Sequence, residues 1–194
     1  MFLTSLYHYF REFKLKVVIV SDSHDNLLNV GKFAAYVTSI GVDLIIHLGD
    51  YVSPFTLKKF LSLNVRLLGV FGNNDGDKLL LLKSLGDIGV IYDAPLETDI
   101  DGFKTLLLHG FGSRELTEKV VRYLANSSGY DLILYGHTHT YNVEKYGSTV
   151  VVNPGTLSGY LAEYPTIAVF DTKDLSISII DIDSHKVIKN IILK

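Results

Sequence analysis

From Lys16 onward, short apolar runs alternate with longer segments in which apolar residues recur at helical spacing. The runs at 16–21, 43–48, 65–71, 103–108 and 131–135 are rich in Val, Ile and Leu, and each is too short to be a helix. Each therefore reads as a buried strand. Between the first two, Val30, Phe33, Ala34, Val37 and Ile40 fall at i, i+3, i+4, i+7 and i+10. That stripe predicts an amphipathic helix, with Gly41 placed to end it in a left-handed conformation. Ser53-Pro54 has the form of an N-cap and first helical residue, opening a helix to about residue 63. A third helix is predicted over about 113–126, with Leu116, Val120 and Leu124 on one face.

After Thr149 the texture changes to TVVVNPG, TIAVFDT, LSISIIDID and KVIKNIIL, where β-branched residues dominate and Asp171-Thr172-Lys173-Asp174 reads as a hairpin turn. Alternating strands and helices followed by a strand-rich half predict an α/β fold, with two sheets packed face to face and helices outside. No repeat, low-complexity tract or Gly/Pro/Ser-rich linker interrupts the chain, so residues 15–194 are expected to form one domain. Residues 1–14 form an N-terminal amphipathic extension in which Phe2, Leu3, Leu6, Phe10 and Phe13 make a helical stripe. With one basic residue before Lys14, a membrane surface is the weaker partner for that stripe, and a contact within the chain or in a homodimer is favoured.

Composition narrows the chemistry. The 194 residues, 47% of them hydrophobic, can bury a full core. Eighteen Lys plus Arg against 21 Asp plus Glu give a formal charge of −3, with no basic block, which argues against electrostatic binding of duplex nucleic acid. The absence of cysteine removes disulfides, thiolate zinc sites, iron–sulfur clusters and Cys nucleophiles together. Any metal must therefore sit on His, Asp, Asn or Glu. No apolar run approaches the roughly 20 residues of a membrane-spanning helix. The opening MFLTSLYHYFREFK has neither a basic n-region nor a cleavage site, so cytoplasmic residence is the expectation.

The informative residues stand just past the strand ends: Asp22-Ser23-His24, Gly49-Asp50, Gly72-Asn73-Asn74-Asp75, His109-Gly110 and Gly136-His137-Thr138-His139. Polar groups carried to one sheet edge by separate strands converge on one crevice. Asp, His and Asn offer oxygen and imidazole nitrogen to a metal, and neighbouring Gly lets the backbone turn sharply enough to aim them. Singly, each has a bland alternative. Asp22 and Asp50 could cap helices or form turns, Asn73 could be a turn residue, and His137 and His139 could be polar loop residues.

As a set in fixed order, the five clusters resemble the calcineurin-like metallophosphoesterase superfamily, whose signature is D-x-H, G-D, G-N-H-D or G-N-C-D, H, then G-H-x-H. The match spans 17–156, and Asn153-Pro154-Gly155-Thr156 resembles the N-P-G-S of the small, uncapped branch that includes archaeal and bacterial phosphodiesterases and the retromer subunit. The resemblance implies a four-layer αββα sandwich of two mixed β-sheets. It puts one divalent ion on Asp22, His24 and His139 and a second on Asn73, His109 and His137, with Asp50 bridging. Mn²⁺ is favoured, and Ni²⁺, Fe²⁺, Co²⁺ or Zn²⁺ would also suit a mixed N and O set. The implied activity is hydrolysis of a small phosphate ester, most readily a phosphodiester, by a hydroxide bridging the two ions. The alternative is a non-catalytic interaction scaffold on the same fold, like the retromer subunit.

Two departures bear on mechanism. Asn74 stands where many members carry a His thought to protonate the leaving oxygen, and an amide cannot supply that proton. Phe111 stands where much of the small branch has another His. Asp75 is expected to orient a ligand or cap the following helix, and His47 and Asn153 to support the ligands from behind.

Overall fold

Both faces of the first strand, β1 (Lys16–Val20), must be covered, because Val17 and Ile19 point one way and Val18 and Val20 the other, and all four are fully buried. The structure, a computed structural model, describes residues 15–127 and 129–193. The predicted stripe within 1–14 lies outside the described residues. After β1 come α1 (Leu27–Ile40), β2 (Leu44–His47), α2 (Pro54–Leu61), β3 (Arg66–Val70), α3 (Lys78–Leu85) and β4 (Gly89–Tyr92). Then follow β5 (Leu96–Ile100), β6 (Phe103–Leu107), α4 (Arg114–Ser127), β7 (Leu132–Leu134), β8 (Asn142–Tyr146) and β9 (Thr149–Asn153). The chain closes with β10 (Thr166–Asp171), β11 (Ser176–Asp181) and β12 (Val187–Ile192).

The strands make two mixed sheets, one in the order β12-β11-β10-β1-β2-β3-β4 and the other β5-β6-β7-β9-β8. In the first, β1 to β4 run parallel and β10 to β12 return as an antiparallel meander. In the second, β6, β7 and β9 run parallel. Val17, Ile19, Ile46 and Val70 face Leu107, Leu134 and Val152 across the gap between the sheets. Val18, Val20 and Ile45 pack instead on Val30, Phe33, Leu57 and Phe60 of α1 and α2. On the far side, Leu106, Leu108 and Ile133 pack on Val121 and Ala125 of α4. The architecture is thus the expected four-layer αββα sandwich.

The helix signals read from the sequence have physical counterparts. Ser53 accepts from Phe55 N, with Pro54 at the first position, and Gly41 ends α1 at φ 63°. One expectation needs correction. The buried face of α4 is Thr117, Val121 and Ala125 rather than the stripe of Leu116, Val120 and Leu124, of which Leu116 is 48% exposed and Leu124 half-buried against the core. Thr117 exchanges hydrogen bonds with the backbone of Phe111, which turns this narrow side of the helix toward the sheet.

Candidate metal centre

Parallel strands place their C-terminal ends on one edge, and here that edge of each sheet abuts the other. Asp22 and His24 follow β1, Asp50 follows β2, Asn73 and Asn74 follow β3, His109 follows β6, and His137 and His139 follow β7. The loops are sewn together through backbone bonds: Asp22 N to Gly49 O at 3.0 Å, His24 N to Asp50 O at 3.0 Å and Gly136 N to His109 O at 3.0 Å. Their approach is too close for side chains. A Cβ on Gly49 would lie 2.6 Å from His109 Nδ1, and one on Gly72 would collide with the Asp50 carboxylate.

Five of the seven ligand candidates, Asp22, His24, Asp50, His137 and His139, have φ between 42° and 68°. For residues with a Cβ that conformation is costly, about 1–2 kcal/mol each, although Asp and His tolerate it better than most. Such strain persists only where surrounding structure enforces it, and it gathers at functional sites.

Among the described residues, two groups of side chains come within reach of a metal ion: Asp22 with His24 and His139, and Asp22 with Asp50 and His109. His139 Nε2 lies 3.3 Å from Asp22 Oδ1, and His24 Nε2 lies 3.7 Å from the same atom and 3.5 Å from Asp50 Oδ2. His109 Nε2 lies 3.4 Å from Asp50 Oδ2 and 3.0 Å from Asn73 Oδ1. Asp22 Oδ1 is buried with no hydrogen-bond partner among the described residues. A buried carboxylate oxygen left unpaired is destabilising in water-free surroundings, and a cation between it and the two imidazoles satisfies it. The donor set therefore fits a metal ion.

Backbone carbonyls preset the rings. His109 Nδ1 donates to Leu48 O at 2.7 Å and His139 Nδ1 to Tyr160 O at 2.8 Å, which leaves Nε2 of each facing the cluster. His137 is held the other way: its Nε2 donates to Gly112 O at 2.6 Å, so Nδ1 is its free nitrogen. Its backbone N–H donates to Asp22 Oδ2 at 3.0 Å, and its ring stands edge-on to that of His109. His137 belongs to neither of the two close groups.

Electrostatics follow from this crowding. Burial alone would raise the Asp22 carboxyl, but His139 and His24 outweigh it and hold it well below the usual carboxylate range. Asp50 is likewise lowered, since His109 and the Asn74 donors prevail over burial. Burial would depress His109, yet Asp50 and Asp22 raise it to about 9.

The supporting residues occupy distinct places. Asn74 grips Asp50 twice, through N to Oδ1 at 2.8 Å and Nδ2 to Oδ2 at 2.7 Å. Asp75 accepts from Gly72 N, Asp50 N and Val52 N, while Asp77 caps α3. Asn153 Nδ2 donates to Gly136 O and Thr138 Oγ1, steadying the loop of His137 and His139. His47 is buried beneath the centre, bonded to Ser23 Oγ at 2.9 Å and stacked on Tyr51, and burial lowers it to about 3. Phe111 is half-buried and packs against the core under α4. Sequence reasoning missed the carbonyls of Leu48, Gly112 and Tyr160, which no side-chain pattern reports. It also missed Asp25, whose Oδ1 accepts from Ser53 and Thr56 and ties the first ligand loop to α2.

Comparison with known proteins gives a consistent picture. A family model described as the calcineurin-like phosphoesterase superfamily domain matches residues 15–175. A Methanocaldococcus jannaschii protein named as a phosphodiesterase is 37% identical over 161 residues, covering 82% of this chain and 94% of that one. A solved archaeal phosphodiesterase superimposes with a TM-score of 0.77 at 35% identity, over 86% of this chain and 99% of the other. Vps29 of Chaetomium thermophilum shares the fold, with a TM-score of 0.65 at 18% identity over 85% and 83% of the two chains.

Proposed function

This chain belongs to the calcineurin-like phosphoesterase superfamily, and from that premise we propose that it hydrolyses phosphodiesters where the C-terminal edges of its two sheets meet. The observation that carries the reading is the unpaired, buried Asp22 Oδ1 facing the imidazoles of His24 and His139. One ion would rest on Asp22, His24 and His139, a second on Asn73, His109 and His137, and Asp50 would lie between them. Bound divalent ions would supply the Lewis acidity that activates water and neutralises charge on the phosphoryl oxygens.

The chain's own residues set the geometry for that chemistry. The carbonyls on His109, His137 and His139 fix each ring, so little reorientation accompanies loading. Asn74 and Asp75 are positioning residues: one holds the Asp50 carboxylate, the other the backbone on either side of it. With an amide at 74, no acid stands ready to protonate a departing alkoxide, so esters with good leaving groups are favoured. The similarity to the M. jannaschii phosphodiesterase supports diesters over monoesters.

Manganese is the proposed occupant, which the oxygens of Asp22, Asp50 and Asn73 suit, while the imidazoles also admit Ni²⁺, Fe²⁺, Co²⁺ or Zn²⁺. The reading extends to a single domain over 15–194 acting in the cytoplasm on small esters rather than duplex nucleic acid, in keeping with a net charge of −3. No helix among the described residues is long and apolar enough to cross a membrane. Residues 1–14 are assigned to a contact within the chain or in a homodimer. A scaffold of the same fold would have no use for a buried carboxylate oxygen left without a hydrogen bond among imidazoles. Purified protein with Mn²⁺ is expected to turn over bis(p-nitrophenyl) phosphate, and Asp50→Ala and His137→Ala to lose that activity. No turnover with any of the five metals overturns the proposal.

A further inference from the structure

The loop from Ser158 to Pro165 joins the metal centre to β10, and both its ends are fixed. Ser158 N donates to Asp22 O at 3.0 Å and Ile182 N to Pro165 O at 2.9 Å, while Ser158 O accepts from Asn26 and Asn29 at 2.8 and 2.9 Å. A segment tethered in this way has every opportunity to turn its apolar residues inward. Instead Tyr160, Leu161 and Tyr164 are 53%, 93% and 38% exposed. Leu161 adopts φ 59° as well, so strain and exposed apolar surface coincide at a residue whose packing within the chain offsets neither.

Beside this loop lies a cleft of about 220 Å³ whose lining includes His139, Tyr141, Leu161, Glu163 and Tyr164, with Thr140 and Thr166 between them. One wall is therefore a ligand imidazole, and that imidazole is held by the loop itself through Tyr160 O. The Tyr160 ring also stands 6.3 Å from that of His24. Asn73 and Asn74 stand at the centre from the side of β3 and are exposed polar residues. An apolar neighbour of a phosphoryl group held at the cluster is the cleft beyond His139, where Tyr141, Leu161 and Tyr164 stand. Its volume is below the roughly 300–1,000 Å³ of a drug-sized site, which suits one planar ring system. Glu163, which lines the cleft and accepts from Tyr164 Oη, puts a carboxylate there that disfavours a further phosphate.

The geometry points to a specificity-determining subsite: the cleft receives the aromatic ring, aryl or nucleobase, of one ester arm of the substrate, while the phosphoryl group sits at the metal cluster. The inference rests on the phosphoesterase reading and names the class of ester. It makes diesters with an aromatic arm the preferred substrates and gives polyphosphate tails no place beside His139.

Binding measured by calorimetry on the Mn²⁺-loaded full chain tests this without requiring turnover. Phenyl phosphate, AMP, methyl phosphate and inorganic phosphate are the probes. A ring stacked on tyrosine is expected to make phenyl phosphate or AMP bind about 5- to 150-fold tighter than methyl phosphate. Tyr164→Ala should collapse that ratio toward one, and Tyr164→Phe should keep it. An advantage for AMP alone assigns the ring to a nucleobase, and one for phenyl phosphate alone to an aryl group. Equal affinities of the ringed and methyl probes in the unaltered protein overturn the subsite, as does a ratio that survives Tyr164→Ala. If inorganic phosphate does not bind either, it is the phosphoesterase reading that has failed; if the ring preference persists without hydrolysis, the subsite stands and the activity does not.

Discussion

Replacing Asp75 by asparagine alters a single atom that touches no ligand side chain, yet it should loosen the whole centre. Asp75 is 4% exposed. Its Oδ2 accepts from Gly72 N at 2.7 Å and Asp50 N at 3.0 Å, and its Oδ1 from Val52 N at 2.8 Å. All three partners are backbone donors, and an amide has one acceptor atom. In Asp75→Asn the amide oxygen can keep the pair on Oδ2, but the NH₂ group then faces the Val52 N–H, donor against donor. Losing that hydrogen bond to a charged group, and setting donor against donor in part-buried surroundings, costs about 2–3 kcal/mol. One effect works in the opposite direction. Burial raises the Asp75 carboxyl, so the native carboxylate bears a desolvation cost that the amide avoids.

The lower end, about 2 kcal/mol, is therefore expected, a fall in Tm of roughly 4–8 °C for a chain of this size. Scanning calorimetry of the metal-free protein at pH 7 measures it. Because Gly72 and Val52 flank the segments that carry Asn73 and Asp50, metal affinity should also weaken by about 10- to 100-fold, the usual effect of removing support from behind the ligands. A Tm within 1 °C of the unaltered protein would refute the hydrogen-bond accounting. A full loss of stability with unchanged metal affinity would refute the positioning role.

Two further outcomes follow from the centre's electrostatics and its departures from the family pattern. In metal-free protein, Asp50 and Asp22 overcome burial to raise His109 to about 9, and Asp22 raises His139 likewise; this stabilisation is complete below the ordinary His value of 6.5 and is lost as pH rises through about 9. Metal-loaded protein should slope the other way, since ligation needs neutral imidazole, so melting curves between pH 6.5 and 8.5 with chelator and with Mn²⁺ should diverge, and parallel slopes would contradict the assignment of His109 as a ligand. Asn74→His restores a proton donor but gives up the 2.7 Å bond to Asp50 Oδ2. The ratio of alkyl to aryl diester activity should rise about 10- to 100-fold while aryl activity falls, and an unchanged ratio would refute the account of Asn74.

The parts of the fold legible in the sequence are those where burial imposes a period. The strand beginning at Lys16 is covered on both faces, so its uniform apolar run reads unambiguously, and α1 shows its stripe because one face meets the sheet. Three elements the sequence reading missed, β4, β5 and β8, are sheet edges, where burial is interrupted along the strand and no face need be continuous. The helix α3, KLLLLKSL, was equally silent, since its leucines point all round and Leu79 is 63% exposed. On α4 the pattern misled, because leucines flank a narrow buried face of Thr117, Val121 and Ala125. Hydrophobicity alone ranks Leu above Thr, whereas the hydrogen bonds of Thr117 to Phe111 decide which side lies down.

At the centre, residue type and order at the strand ends were legible, but they left two readings in competition, since Asp, Asn and His are also the residues that turns prefer. Backbone conformation cannot separate the two, because both place these residues at positive φ. The carboxylates can. A turn-forming Asp satisfies its side chain on the backbone a few residues away. The Asp22 carboxylate instead takes one hydrogen bond among the described residues, from His137 N, 115 residues along the chain, and leaves Oδ1 with none. The Asp50 carboxylate is held by Asn74, 24 residues away. Both are fixed by distant segments and aimed at one another's imidazoles, which does nothing for a local turn and organises the donors around a cation.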